Sequence, residues 1–187
     1  MRTEIEIIKD LEKKYSNPDN PQEFAQDHNN WINAFHRDQE KRNDFAKWLN
    51  KTSITLNIKT TFFESIFFPS FTFSCNYETK IYDQYTIYKY ETFSISFLED
   101  FYTSYFNCYM REKRDGKNIT FKPIRDSIRD SEFEYKFKLV DNKVKKKFPN
   151  KLRLSKNVTD FIIGDYQMTY SGQPNTSVYE LLFRSKV

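Results

Sequence analysis

Glycine, alanine, cysteine and histidine are all scarce in this chain. Its 187 residues include 3 Gly, 3 Ala, 2 Cys and 2 His. Dinucleotide fingerprints and phosphate-cradling loops need several glycines close together. Gly116, Gly164 and Gly172 stand alone, which excludes both kinds of loop and a Gly-x-Ser-x-Gly nucleophile elbow. Two cysteines, Cys75 and Cys108, cannot build the disulfide framework that staples small secreted domains. No apolar run approaches the roughly 18 residues of a membrane-spanning helix. The start, Met1-Arg2-Thr3-Glu4-Ile5-Glu6, does not read as a secretory signal. The expected address is therefore the cytoplasm, with no membrane contact. The Asn-x-Ser/Thr sites at Asn50, Asn118, Asn157 and Asn175 would matter only in a secretory pathway.

The same scarcity thins out the candidate chemistry. On one helix His28 and His36 would stand about 80° apart and roughly 12 Å along the axis, too far to share a metal ion. Cys75 is in phase with Phe71 and Phe73 and reads as a buried small hydrophobe. Cys108 has no neighbour in sequence that would lower its pKa. The acidic pairs Glu99/Asp100 and Asp126/Asp130 are too few for metal-dependent hydrolysis. Asp126 and Asp130 alternate with Arg125 and Arg129, as surface ion pairs do. The sequence therefore predicts no catalytic residue, no metal and no cofactor, and the protein is not expected to be an enzyme.

What the chain has in excess is aromatic residues. There are 19 Phe, 13 Tyr and 2 Trp, 18% of the residues. AT-rich codons favour Phe, Tyr, Ile, Asn and Lys together, so the excess needs no function to explain it. With so little Gly and Ala, large rings must fill the core, and each buried tyrosine hydroxyl needs a partner.

The patterning predicts an α+β fold in one domain: two N-terminal helices packed on a strongly curved antiparallel sheet or partial barrel. Thr3-x-x-Glu6 is a capping box, followed by Ile5, Ile8, Leu11 and Tyr15 at helical spacing, which gives a helix over 3–15. Asn20-Pro21-Gln22-Glu23 starts a second helix, expected over 21–50. Its seam runs through Phe24, His28, Trp31, Phe35, Phe45 and Leu49. Asp38 and Arg42 occupy seam positions, where a bend is expected.

From residue 51 onward the period changes to two and mostly antiparallel strands are expected. Alternation marks Ile54–Ile58, Phe71–Tyr77, Phe93–Phe97 and Phe133–Leu139. Asp141-Asn142 offers a turn into a strand over Val144–Phe148, and Asp115-Gly116 a hairpin into Ile119–Lys122. A strand at Tyr166–Tyr170 is expected to pair with Val178–Phe183. The segment Leu98–Met110 fits helix or strand, and strand is preferred. The doubled Ile-Arg-Asp-Ser tetrad after Pro123 suggests a turn or two of helix.

The net charge of +4 is unevenly distributed. Residues 111–156 carry 16 Lys and Arg against 7 Asp and Glu, while the rest of the chain is acidic. This basic region includes Arg111, Lys113, Arg114, Lys117, Lys145, Lys146 and Lys147. Tyr82, Tyr85, Tyr88 and Tyr90 cannot all point to one face of a strand, so some of these rings should be exposed, as in protein interfaces. The expected partner surface therefore comprises the seven basic residues with Tyr88 and Tyr90. The expected function is a non-enzymatic protein-binding domain, an inhibitor, immunity-type protein or assembly subunit, whose protein partner has an acidic surface. Two other readings stand beside it. One is a nucleic-acid accessory protein using the basic region, although Lys outnumbers Arg 21 to 9 and Arg is the usual reader of bases. The other is a curved sheet that binds an apolar ligand.

Overall fold

A computed structural model describes residues 2–15, 38–63, 70–114, 117–123, 131–163 and 176–183. In chain order the elements are α1 (Glu4–Tyr15), α2 (Gln39–Leu56), β1 (Lys59–Phe63), β2 (Ser70–Ile81), β3 (Tyr85–Ser96), β4 (Phe101–Arg114) and β5 (Lys117–Pro123). Then follow α3 (Ser131–Lys147), β6 (Leu152–Arg153), α4 (Lys156–Asp160), β7 (Ile162–Ile163), β8 (Thr176–Ser177) and α5 (Val178–Phe183). The fold is α+β. Strands β1 to β5 form an antiparallel meander in sequence order, an open sheet rather than a closed barrel. The two-residue β6 runs parallel to β4 at Phe101 and Tyr102.

Helix α1 opens on the expected capping box. The Thr3 amide donates to the Glu6 carboxylate at 2.7 Å and the Glu6 amide donates to Thr3 Oγ1 at 3.3 Å. Helix α2 departs from expectation at both ends. Residues 21–37 lie outside the described residues, and Asp38 is the N-cap, its carboxylate accepting from the Lys41 amide at 3.1 Å. A polar residue on the seam is here a helix start. The helix continues past Asn50 to Leu56, so Ile54 and Leu56 belong to its last turn and not to a strand. Phe45, Leu49 and Thr52 are its buried positions. Asn57 ends it in the left-handed region (φ 50°, ψ 47°), which Asn tolerates better than most residues.

Side chains of the meander alternate between two faces, one covered by helices and the other covered only in part. On one face Phe73 opposes Phe93 and Phe71 opposes Ile95, with Tyr102 next to Ile95. Helices α2 and α3 pack here through Phe45, Leu49, Phe133, Phe137, Val140 and Val144. The other face is rich in Ser and Thr. Thr72 bonds both Ser70 (3.0 Å) and Ser94 (3.1 Å), and Ser70 donates to the Phe183 carbonyl at 2.9 Å. These bonds satisfy hydroxyls that α5 takes out of water. A second apolar cluster, on α1, α4, α5 and Phe101, includes Ile7, Leu11, Val158 and Leu182.

The segment Leu98–Met110 resolves as strand from Phe101 onward. Three further expected strands prove to be helical. Phe133–Leu139 and Val144–Phe148 fall largely within the single helix α3, without a turn at Asp141-Asn142. The true apolar positions are Phe133, Phe137, Val140 and Val144, spaced four, three and four apart. The apparent alternation at Tyr135 is spurious, because that ring is 63% exposed. Glu132–Lys136 (2.6 Å) and Glu134–Lys138 (3.9 Å) pair along the helix, with acids at its start and Lys145–Lys147 at its end, as the macrodipole favours. Val178–Phe183 is helix α5, entered through a reciprocal box in which Ser177 and Glu180 exchange bonds of 3.1 and 3.2 Å. The expected strand at Tyr166–Tyr170 and the helical turn over 124–130 lie outside the described residues.

Asp141, buried on α3, ties the helix to the sheet. It accepts from the Tyr102 hydroxyl at 2.8 Å, pairs with Lys145 at 2.7 Å and lies 4.0 Å from the Arg153 guanidinium. Tyr102 is fully buried. Tyr102→Phe removes a hydrogen bond to a charged group, and should cost about 1.5–3 kcal/mol of unfolding free energy. Urea denaturation with an unchanged m-value would register this. A cost near zero would mean that the carboxylate is satisfied without Tyr102. The Asp38 cap gives a second expectation. The Lys41 amide and ammonium hold its carboxyl below the usual aspartate value. A depressed folded pKa stabilises above the unfolded value and the gain is lost as pH falls through the folded one. Asp38→Asn, which still caps, should therefore flatten the acid limb of a stability–pH curve and leave stability near neutrality almost unchanged.

Candidate partner-binding face

Tyrosines gather on the face of the sheet that carries α5. Strand alternation turns Tyr88 and Tyr90 of β3 away from Phe93 and Ile95. Their cross-strand partners in β4 are Tyr109 and Asn107, and Arg111 stands opposite Thr86. Tyr105, two residues before Asn107, shares this face and is exposed. Tyr88, Tyr90, Asn107, Tyr109 and Arg111 are half-buried. The face is amphipathic, with rings that supply apolar area and hydroxyls and amides that supply hydrogen bonds.

Several of these groups hold one another. The Tyr90 and Tyr109 rings stack at 5.8 Å with 14° between their planes. Tyr179 of α5 meets Tyr105 edge-on, with centroids 5.7 Å apart, and its hydroxyl donates to the Tyr105 hydroxyl at 3.2 Å. Asn107 Nδ2 donates to Thr92 Oγ1 at 3.2 Å. A cavity of about 280 Å³ lies among Tyr90, Tyr105, Tyr109, Tyr179 and Phe183. A larger one, about 730 Å³, begins at the same Tyr105, Tyr109 and Tyr179 and extends to Arg153, Ser155 and Lys156. Burial, followed by the neighbouring Tyr109 phenol, pushes the Tyr90 hydroxyl up to about 12.

The nine residues expected to bind a partner divide into two groups. Tyr88, Tyr90 and Arg111 share the tyrosine face. The β4–β5 hairpin continues from Arg111, and its register sets Lys113 opposite Asn118 and Arg114 opposite Lys117. Lys145, Lys146 and Lys147 end α3, the helix packed on the opposite face. Lys145 is paired with Asp141, and Lys147 with Asp44 of α2 at 2.6 Å. Lys146 is exposed and makes no ion pair among the described residues. The uniform basic region of the sequence is thus divided by the sheet. Tyr105, Asn107, Tyr109 and Tyr179 were not singled out from sequence. The usable signal was the two-residue spacing of Tyr105, Asn107, Tyr109 and Arg111, hidden because the same segment also fits a helix.

The other chemistry-bearing groups are placed as follows. Both histidines, and the Asp126/Asp130 pair with its arginines, lie outside the described residues. Cys75 and Cys108 are buried free thiols. Burial, with the fully buried Glu91 carboxylate across the strand, pushes the Cys75 thiol far up, so it does not form a thiolate at neutral pH. Glu99 pairs with Lys14 of α1, and Asp100 is exposed. Among the described residues no group of three or more His, Cys, Asp or Glu is placed to hold a metal ion, and no helix is long and apolar enough to cross a membrane. No protein-family model, curated protein or solved structure matches the chain.

The stacked pair is testable by spectrophotometric titration of the phenols. Tyr90→Phe should remove one phenol that ionises near pH 12. Because the folded pKa is raised, Tyr90 contributes stability that is lost as pH rises above about 10, where the unfolded phenol ionises. The variant should therefore soften the alkaline limb of the stability curve. Loss of a phenol near pH 10 instead would place Tyr90 in open solvent.

Proposed function

We propose that the protein is a non-enzymatic, cytoplasmic protein-binding domain of the inhibitor, immunity-type or assembly-subunit kind. Its contact surface is the tyrosine face of β3 and β4, extended by the basic hairpin that carries Arg111, Lys113, Arg114 and Lys117. The observation that carries this reading is the convergence of Tyr88, Tyr90, Tyr105, Asn107, Tyr109 and Arg111 on one face of the sheet. Tyrosine loses little conformational entropy on binding and provides both apolar area and a hydroxyl, which makes it a common anchor in protein interfaces. Rings already held by Tyr90–Tyr109 and Tyr105–Tyr179 contacts reduce that cost further. The basic hairpin at the end of the face favours a partner with an acidic rim. Lys145 and Lys147 are left to their ion pairs with Asp141 and Asp44.

The test is retention of a partner from host lysate, treated with nuclease, on the tagged protein and on two variants with matched melting curves. The double variant Tyr90→Ser/Tyr109→Ser should lose a stoichiometric protein partner, with affinity at least about ten-fold lower, as expected for interface aromatics. Lys145→Glu/Lys146→Glu/Lys147→Glu should retain it. The opposite pattern would move the contact surface to the end of α3. Recovery of nucleic acid alone would replace this reading with the accessory-protein one.

A further inference from the structure

The sheet face opposite the tyrosines holds a cleft of a different character. It opens where the first turns of α2, the end of α3 and the chain just beyond it meet β2 and β3, and its volume is about 590 Å³. That is within the roughly 300–1,000 Å³ of small-molecule sites. The walls are apolar: Phe45, Phe71, Ile95, Phe97 and Phe148. Phe45 lies flat on Phe71 with centroids 4.1 Å apart, and Phe97 meets Phe71 edge-on at 4.8 Å. An occupant with a hydrocarbon chain or ring would therefore find fixed surfaces.

The charges around the cleft narrow the choice of head group. Lys41 pairs with Asp38 at 2.9 Å and Lys147 with Asp44 at 2.6 Å, so those four offset one another. Glu40 is exposed to water. Lys151 differs from these. Its side chain is only 17% exposed, and its ammonium donates to the Glu99 carbonyl at 2.8 Å. The carboxylate nearest to it, Asp100, is 3.6 Å away and 80% exposed, too long and too well solvated for a strong bond. The Glu99 carboxylate is engaged by Lys14. An ammonium has three donors, and one neutral carbonyl at close range leaves room for an anion. Burial lowers the Lys151 pKa and outweighs the opposing pull of the Asp100 and Glu99 carboxylates.

We propose that this cleft binds an amphipathic monocarboxylate, its apolar part on Phe45, Phe71, Phe97 and Phe148 and its carboxylate on the Lys151 ammonium. The site is separated from the tyrosine face by the sheet and does not depend on the partner-binding reading.

The experiment titrates the full chain with decanoate, decanol and decyltrimethylammonium, each below its micelle-forming concentration. Calorimetry reads affinity, and NMR chemical shifts read location. Decanoate should bind saturably at one site and shift resonances of Phe45, Phe97 and Phe148. Decanol should bind at least ten-fold more weakly, and the cation not at all. Lys151→Met should remove the preference for decanoate over decanol. If that variant does not fold, the head-group series on the unmodified protein decides alone. Absence of saturable decanoate binding, equal affinity for decanol, or shifts centred on the tyrosine face would each overturn the proposal.

Discussion

Stacked phenylalanines hold the helical layer onto the sheet, and the remaining architecture depends on that contact. Phe73 of β2 lies nearly parallel to Phe93 of β3 at 5.2 Å, and Phe93 nearly parallel to Phe137 of α3 at 5.9 Å. Phe45 of α2 lies on Phe71 of β2 at 4.1 Å. The chain has little Gly or Ala for close backbone approach, so large flat rings set the spacing between layers. Polar ties lie beside this layer. Tyr102 and Arg153 approach Asp141 from β4 and β6, and the Arg153 guanidinium lies 4.5 Å from the Phe137 ring centre.

The opposite face follows a different rule. Its Ser and Thr residues are buried under α5 near Phe183 but give way to tyrosine, Asn107 and Arg111 further along β3 and β4. One strand pair therefore serves two purposes. The end with Ser94 and Phe93 is structural on both faces, and the end with Tyr88 and Tyr90 offers rings that water reaches. The two candidate sites sit on opposite faces of the sheet. The aromatic cleft near Lys151 has the chemistry of a small-molecule site, whereas the tyrosine face has that of a surface.

Much of this fold was legible in sequence wherever one periodicity stood alone. The Thr3/Glu6 box, the Phe71–Tyr77 strand and the Asp115-Gly116 hairpin have a single reading. Errors came where an aromatic-rich segment satisfied two periods at once. Phe133 and Phe137 are two alternations apart and also one helical turn apart. Only Val140 and Val144, with the Glu–Lys pairs four residues apart, separate the two readings. Ser177-x-x-Glu180 carries the same box signature as Thr3-x-x-Glu6, but the Val and Leu content that follows also fits a strand. The candidate site was legible only in part for a similar reason. Net charge along the chain joins Arg111 to Lys147, and linear counting cannot show that a sheet stands between them. The run Tyr82, Tyr85, Tyr88 and Tyr90 holds too many rings for one strand face, but which of them share a face with β4 tyrosines required the cross-strand register.

The most direct measurement of the central claim is a tyrosine footprint. The protein would be lightly iodinated, alone and with its captured partner, and each tyrosine read by mass spectrometry. Protection concentrated at Tyr88, Tyr90, Tyr105 and Tyr109, with Tyr135 on α3 still reactive, is the predicted result. Protection of Tyr135 with the β3–β4 tyrosines unchanged would contradict the account, because the partner would then lie on the helical side of the sheet.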